Sequence, residues 1–207
     1  MSRRARAFTF VELMVALVVT SVILSAVATL AFAMSRASTV GDDYAGTQAQ
    51  IRHATIYLSD LVARCRLICA VPGNDLVVWR ADDNDDGRIN ANELVYIERG
   101  DDWRYLHLST PPSSDSSEVS LPDLSLTTAK AGLLGTNSGT SISLIADCNN
   151  VEFGYDQAPP ATEVLVITFG FEEEGRIRPY EIVTAARCRA KHLLNEAGND
   201  LVSTDDD

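Results

Sequence analysis

From Leu13 to Met34 the chain runs for 22 residues without one charged side chain, reading LMVALVVTSVILSAVATLAFAM. At 1.5 Å of rise per residue, a helix of that length spans about 33 Å, roughly the thickness of a bilayer's hydrocarbon core. Arg3, Arg4 and Arg6 precede the run. Basic residues before a first span predict an N-terminus in the cytoplasm and a C-terminal body outside it. A cleaved secretory signal is one alternative, because Ala31-Phe32-Ala33 supplies a small-x-small pattern. Signal h-regions, however, usually stop at about 7–15 apolar residues. A plain single-span anchor is a second alternative. Neither accounts for Glu12, an acid set against the apolar run, where an ionisable group is costly and reads as functional.

Charge narrows the partners. Seventeen Lys and Arg against 29 Asp and Glu leave a formal charge of 17 − 29 = −12. Without the three N-terminal arginines the balance is 14 − 29 = −15. Phosphate binding needs a clustered basic surface, so nucleic acid is not an expected partner. Adsorption of the folded body onto anionic lipid is disfavoured for the same reason. Membrane lipid is met through the apolar run. The apolar fraction of 46% is enough for a folded core.

The segment Arg6-Ala7-Phe8-Thr9-Phe10-Val11-Glu12-Leu13 resembles the cleavage and methylation signature of type IV prepilins and type II secretion pseudopilins. In that family a short basic leader is removed on the cytoplasmic side, before an aromatic residue. The new N-terminus is N-methylated, and a glutamate stands fifth in the mature chain. The resemblance, which covers about residues 1–35, implies a leader at 1–7 and a cut between Ala7 and Phe8. It makes Phe8 the methylated residue and Glu12 the assembly glutamate. Where the family usually has glycine before the cut, this chain has Ala7. The implied partners are a prepilin peptidase, sibling pilin or pseudopilin subunits and the inner-membrane assembly platform. A lone carboxylate in lipid is expensive, and pairing with a neighbouring subunit's cationic N-terminus removes most of that cost. Glu12 would then favour one stagger between packed helices. The simpler alternative is a carboxylate snorkelling to the headgroups.

Helical spacing continues after the membrane segment at 8–34. Ile51, Ala54, Leu58, Leu61 with Val62, Cys65, and Ile68 with Cys69 recur at intervals of three and four. They predict an amphipathic second half of the same helix over 35–71, loosened at Gly41 and Gly46 and stopped by Pro72-Gly73. A β-rich body follows at 72–199. Its expected strands are Leu76–Arg80, Leu94–Glu98, Trp103–Leu108, Val151–Tyr155, Glu163–Phe171 and Ile177–Cys188, with Gly170–Gly175 as a hairpin turn. The Ser/Thr/Pro/Gly-rich stretch from Ser109 to Ser143 reads as a long excursion on the sheet edge, holding a short helix near Thr127–Leu134. Residues 200–207 form an acidic tail. Helix first and strands after predict an α+β fold, pilin-like, with an antiparallel sheet against the helix.

The sharpest local motif is Asp82-Asp83-Asn84-Asp85-Asp86-Gly87-Arg88-Ile89-Asn90-Ala91-Asn92-Glu93. It satisfies the EF-hand calcium pattern D-x-[DN]-x-[DN]-G-x₅-E in full. Asp82, Asn84 and Asp86 offer oxygens at alternate positions, Gly87 permits the sharp turn and Arg88 offers its carbonyl. Asn90 could act through water, and Glu93 could close the site with both oxygens. Asp83 and Asp85 would point outward. The flanks read as strands rather than helices, so the motif is EF-hand-like. An acidic turn joining two strands is the plain alternative.

Four cysteines, Cys65, Cys69, Cys148 and Cys188, would lie outside the cytoplasm, where disulfides persist. Cys65 and Cys69, read as one helical turn apart, would strain a helix if bridged. Helix-to-sheet bridges or Cys148–Cys188 are the favoured pairings, a zinc site and four buried thiols the alternatives. His53, His107 and His192 are scattered, and no nucleophile elbow, phosphate-cradling loop or HExxH is present. The expectation is a non-enzymatic, membrane-anchored filament subunit: a minor pilin or pseudopilin of a type IV pilus or type II secretion system, with calcium in its body. The rival is a monomeric, membrane-anchored calcium-binding receptor.

Overall fold

A computed structural model describes residues 9–100, 102–135, 139–173, 175–187 and 189–202. The chain divides into two compact units, Met1–Gln48 and Ala49–Asp207. One helix, α1 (Phe10–Arg64), contributes to both and is helical through Gly41 and Gly46. The strands are β1 (Leu67–Ala70), β2 (Leu76–Trp79), β3 (Leu94–Glu98), β4 (Leu106–Thr110), β5 (Thr140–Ile145), β6 (Asn149–Tyr155), β7 (Val164–Glu173) and β8 (Arg176–Ala185). A short helix, α2 (Thr127–Leu134), falls where the sequence reading put it. The fold is α+β, all strand pairs are antiparallel, and the architecture is consistent with a pilin-like one.

In the first unit, the apolar run of α1 lies bare. Val11, Val15, Val18, Val22, Leu24, Leu30 and Met34 are all exposed. Its polar side chains are satisfied within the helix. The Thr20 hydroxyl donates to the Ala16 carbonyl at 2.9 Å, Ser21 to Val18 at 2.8 Å, Ser25 to Val22 at 2.8 Å and Thr29 to Ser25 at 2.8 Å. Such back-bonding is what a helix in hydrocarbon requires, since no water is present to satisfy a hydroxyl. By length and composition this helix can cross a membrane, with a mean hydropathy of 2.5 over its most apolar 18 residues.

The second unit is built on two sheets. Strands β1 to β5 form one in sequence order, and β6 to β8 form the other. The main core lies between the Ala54, Leu58 and Val62 stripe of α1, one face of the five-stranded sheet (Ile68, Leu76, Val78, Val95, Ile97) and the inner face of the second sheet (Leu165, Ile167, Phe169, Ile182). Alternate residues of the first sheet point the other way. Leu67, Cys69, Val77, Trp79, Leu94 and Tyr96 form a second core, covered by Leu121 and Leu124 of the excursion and by Ala190 and Leu194.

Strands β1 to β3 are therefore buried on both faces, and this corrects two expectations. The helix stops at Arg64 rather than near Val71, because Leu67–Ala70 form strand β1 with all four residues buried. A short apolar run covered on both faces cannot be told from a helix end by periodicity alone. The Ser109–Ser143 stretch is not a bare excursion on an edge. It caps the second core and then returns as β5, pairing Thr140 with Thr110 through to Ile145 with Leu106. The β7–β8 turn is also tighter than Gly170–Gly175. Gly170 pairs with Pro179 inside the hairpin, and Glu173 pairs with Arg176 at its end.

A half-buried ion cluster fastens α2 to the body. The Lys130 ammonium donates to Asp75 at 2.6 Å and also pairs with Glu98, while Asp75 accepts the Arg99 backbone N–H at 3.0 Å and Glu98 accepts the Ser109 hydroxyl. Burial works against the lysine's charge, but the hydrogen bonds and charges of Asp75 and Glu98 outweigh it and raise its pKa. A raised lysine pKa contributes stability that is complete below the unfolded lysine value and is lost as pH rises through the folded one. Lys130→Met should lower unfolding free energy by about 2–3 kcal/mol at neutral pH, because two carboxylates lose their cation. The deficit should shrink at strongly alkaline pH; a pH-independent difference in denaturant unfolding would contradict this role.

Candidate functional site

At the start of α1, Thr9 and Glu12 form a reciprocal cap. The Thr9 backbone N–H donates to the Glu12 carboxylate at 2.9 Å, and the Thr9 hydroxyl donates to it at 3.0 Å. In return, the Glu12 backbone N–H donates to Thr9 Oγ1 at 3.3 Å. This is the capping-box arrangement: Thr and Glu three residues apart satisfy donors that a helix N-terminus otherwise leaves open. Glu12 is thus held at the mouth of the apolar run by its bonds to Thr9. The T-x-x-E spacing was visible in Thr9-Phe10-Val11-Glu12, although the resemblance to a processing signature drew attention to the glutamate alone. Ala7 and Phe8, the expected cleavage pair, lie outside the described residues.

The first residues match the family model described as the prokaryotic N-terminal methylation motif, over residues 2–28. The N-terminus carries a prepilin-type signature. That motif implies processing by a prepilin peptidase and assembly with pilin-type subunits, and together with the bare apolar helix it supports a membrane-anchored, pilin-like protein. The match ends well before the acidic turn, on which it has no bearing. No curated protein and no solved structure matches the chain.

The acidic turn joins β2 to β3 and is wound on its own hydrogen bonds. Asp82 accepts the backbone N–H of Asp86 at 3.1 Å and that of Gly87 at 3.2 Å. Asp86 accepts the Arg88 N–H at 2.8 Å and the side-chain amides of Asn84 at 2.7 Å and Asn90 at 3.2 Å. The backbone N–H of Arg88, followed by the Asn90 amide, holds the Asp86 carboxyl below its ordinary pKa. Gly87 adopts a φ of +71°, which a side chain would strain. Asp82, Asn84, Asp86 and Asn90 are thereby brought together, as the spacing suggests. Asp83, one of the two acids expected to face outward, pairs with Arg80.

Glu93 sits differently from the expectation of an ion-facing, bidentate residue. It is buried and accepts three N–H groups: Trp79 Nε1 at 3.0 Å, Asp83 N at 2.8 Å and Asn90 N at 3.3 Å. Arg66 lies over the Trp79 ring at 4.9 Å and pairs with Asp82 at 2.9 Å, so the turn is stitched to β1, β2 and β3 at once. Sequence reading missed Arg66 and Trp79, because neither belongs to the calcium pattern. Among the described residues no three His, Cys, Asp or Glu side chains are grouped so as to hold a metal ion. The donor chemistry nevertheless suits a hard cation: Asp82, Asn84, Asp86, Asn90 and Glu93 carry side-chain oxygens, and Arg88 has its backbone carbonyl.

Among the described residues, Cys65, Cys69 and Cys148 form no disulfide with one another. Cys65 packs in the main core and Cys69, on β1, in the second core, so they face opposite sides of the sheet rather than one helical turn. Cys148 belongs to the main core, and none of these three is bridged to another described cysteine. Cys188 lies outside the described residues. Burial pushes the Cys69 thiol far up, and burial, with Asp147 nearby, pushes Cys148 up to about 11. Burial thus holds both as neutral thiols at neutral pH.

Glu93→Gln tests the stitching directly. It sets an amide N–H₂ against three backbone and indole donors, so the body should lose about 1–3 kcal/mol of stability whether or not calcium is present. Trp79→Phe, which removes one of those donors, should cost less. Unfolding curves that overlay the parent's for Glu93→Gln would show that the carboxylate does not hold the turn.

Proposed function

We propose that this chain is a filament subunit, a minor pilin or pseudopilin of a type IV pilus or type II secretion system. The observation that carries the reading is the coincidence of the methylation motif with an apolar helix that its own protein leaves uncovered, opening on a capped carboxylate. The peptidase removes residues 1–7 on the cytoplasmic side, Phe8 becomes the methylated N-terminus, and the body lies outside the cytoplasm. Neighbouring helices then cover the apolar run. Glu12 follows the new N-terminal residue of its own chain by four positions in sequence and would pair with the amine of the next. A charge pair in hydrocarbon is tolerated only when closely matched, which selects one stagger.

Glu12→Ala should leave membrane insertion intact, since it removes a charge from the span, yet sharply reduce incorporation into sheared or pelleted filaments. Equal incorporation of parent and variant would remove the stagger role. Filament fractions lacking even the parent chain would favour a monomeric anchored receptor.

The same proposal gives the acidic turn a calcium ion, held by Asp82, Asn84, Asp86, Asn90 and the Arg88 carbonyl, with Glu93 bracing the turn behind it through its three N–H donors. Bound there, the ion supplies positive charge that offsets crowded carboxylates and clamps β2 against β3. The crowding of Asp82, Asn84, Asp86 and Asn90 around one glycine turn supports this reading. Affinity is expected in the range of about 10⁻⁴ to 10⁻³ M, as in other extracellular modules. At 100 times the dissociation constant the body should gain about 2.7 kcal/mol. Because Glu93 holds the fold, Asp86→Asn is the cleaner probe. The parent in detergent should melt higher in millimolar calcium than in chelator, and Asp86→Asn should show little difference. Identical parent curves in both media would leave a plain acidic turn.

A further inference from the structure

We propose that the outer face of the β6–β8 sheet docks head-to-tail into the groove beside α1 on a second copy of this chain, an inference that rests on the filament reading. Strand β7 runs Val-Leu-Val-Ile-Thr-Phe-Gly-Phe from Val164, nearly unbroken in apolar character. A strand with one face in water alternates, whereas continuous apolar runs belong to strands covered on both sides. The inner residues Leu165, Ile167 and Phe169 are buried in the main core. On the other face, Val164 pairs with Ala185 and Val166 with Val183. Val183 is 60% exposed and Ile177 63%. Glu181, opposite Thr168, has no ion pair among the described residues.

From strand spacing and rise, this face measures roughly 400 Å². A free dimer of standard size buries about 800 Å² on each partner. The face is therefore too small to hold a partner from solution, but adequate for a neighbour already kept close by another contact. Packed N-terminal helices provide that contact, which identifies the occupant as a second copy. Self-pairing of the face would set Glu181 near its own counterpart, and like charges opposed across a contact are destabilising.

A complementary surface exists elsewhere on the body. A groove of about 610 Å³ runs beside the end of α1, lined by Ile56, Tyr57, Asp60, Leu61, Arg64, Arg80 and Ala81, two cations against one acid. Ile56 is 65% exposed and Tyr57 41%. The present partners of the two arginines, Asp60 and Asp83, form solvent-exposed pairs, which contribute little and are readily exchanged. The groove thus offers apolar cover for Val183 and Ile177 and a guanidinium for Glu181. Since the groove borders the main core and the outer sheet face points away from it, the contact is heterologous. Such a contact repeats along a filament instead of closing a dimer.

The test uses the full-length chain in membranes, with Val183→p-benzoylphenylalanine as a photo-cross-linker and peptide mapping of the adducts. Cross-links should reach residues 56–64 or 80–81 of a second copy. Glu181→Lys in the labelled chain should lower their yield about five- to tenfold, and mixing with an Arg80→Glu chain should restore it. Adducts between two copies of position 183, adducts to another surface or to lipid alone, or a yield indifferent to Glu181→Lys would overturn the proposal. Should Arg80→Glu fail to fold, the Glu181→Lys comparison decides alone. A parallel Val22→p-benzoylphenylalanine chain reads helix packing. Copies that cross-link at 22 but not from 183 into the groove sink the docking and leave the filament reading; no cross-link at either position sinks both.

Discussion

A helix whose apolar run is bare of its own protein must find cover elsewhere, and that requirement governs this molecule. The run from Leu13 to Met34 cannot be left in water, and its hydroxyls already bond back to helix carbonyls as hydrocarbon demands. Lipid satisfies the requirement first, and neighbouring helices can satisfy it later. In the proposed filament, Glu12 would make the second solution selective. Its carboxylate is fixed at the start of the run by Thr9, so the charge cannot wander along the helix to suit any neighbour.

The body answers a different constraint. Strands β1 to β3 of its five-stranded sheet are apolar on both faces, so each face needs a cover. The stripe of α1 and the second sheet supply one; the Ser/Thr/Pro-rich connection and the C-terminal segment supply the other. The acidic turn grows from this arrangement. Trp79 and Leu94, the strand residues that flank it, pair in register and point into the second core. The Trp79 indole is thereby set to donate to Glu93, and Arg66 to reach both the ring and Asp82. A loop made of mutually repelling carboxylates is held by N–H groups on every side.

Patterns carried by local spacing were legible beforehand. The apolar run, the α1 stripe through Val62, strand β3 and helix α2 follow from length and periodicity. Features that depend on what covers a segment were not legible. Leu67–Ala70 continues the helical stripe on paper, and only burial of both its faces makes it a strand. Strand β5 lies in a Ser/Thr-rich stretch with four exposed residues, so no alternation marks it; its pairing with β4 creates it. At the acidic turn the ligand-type residues were evident from the motif, whereas the supporting pair Arg66 and Trp79 emerges only once β1 and β2 are adjacent.

Anchoring and assembly both turn on how the N-terminus is processed, and the mature chain itself carries the answer. Intact mass and N-terminal peptide sequencing of the protein purified from membranes should find Phe8 as the first residue, bearing a methyl group on its amine. A chain that retains residues 1–7, or one that begins at Met34 after Ala31-Phe32-Ala33, would contradict the account.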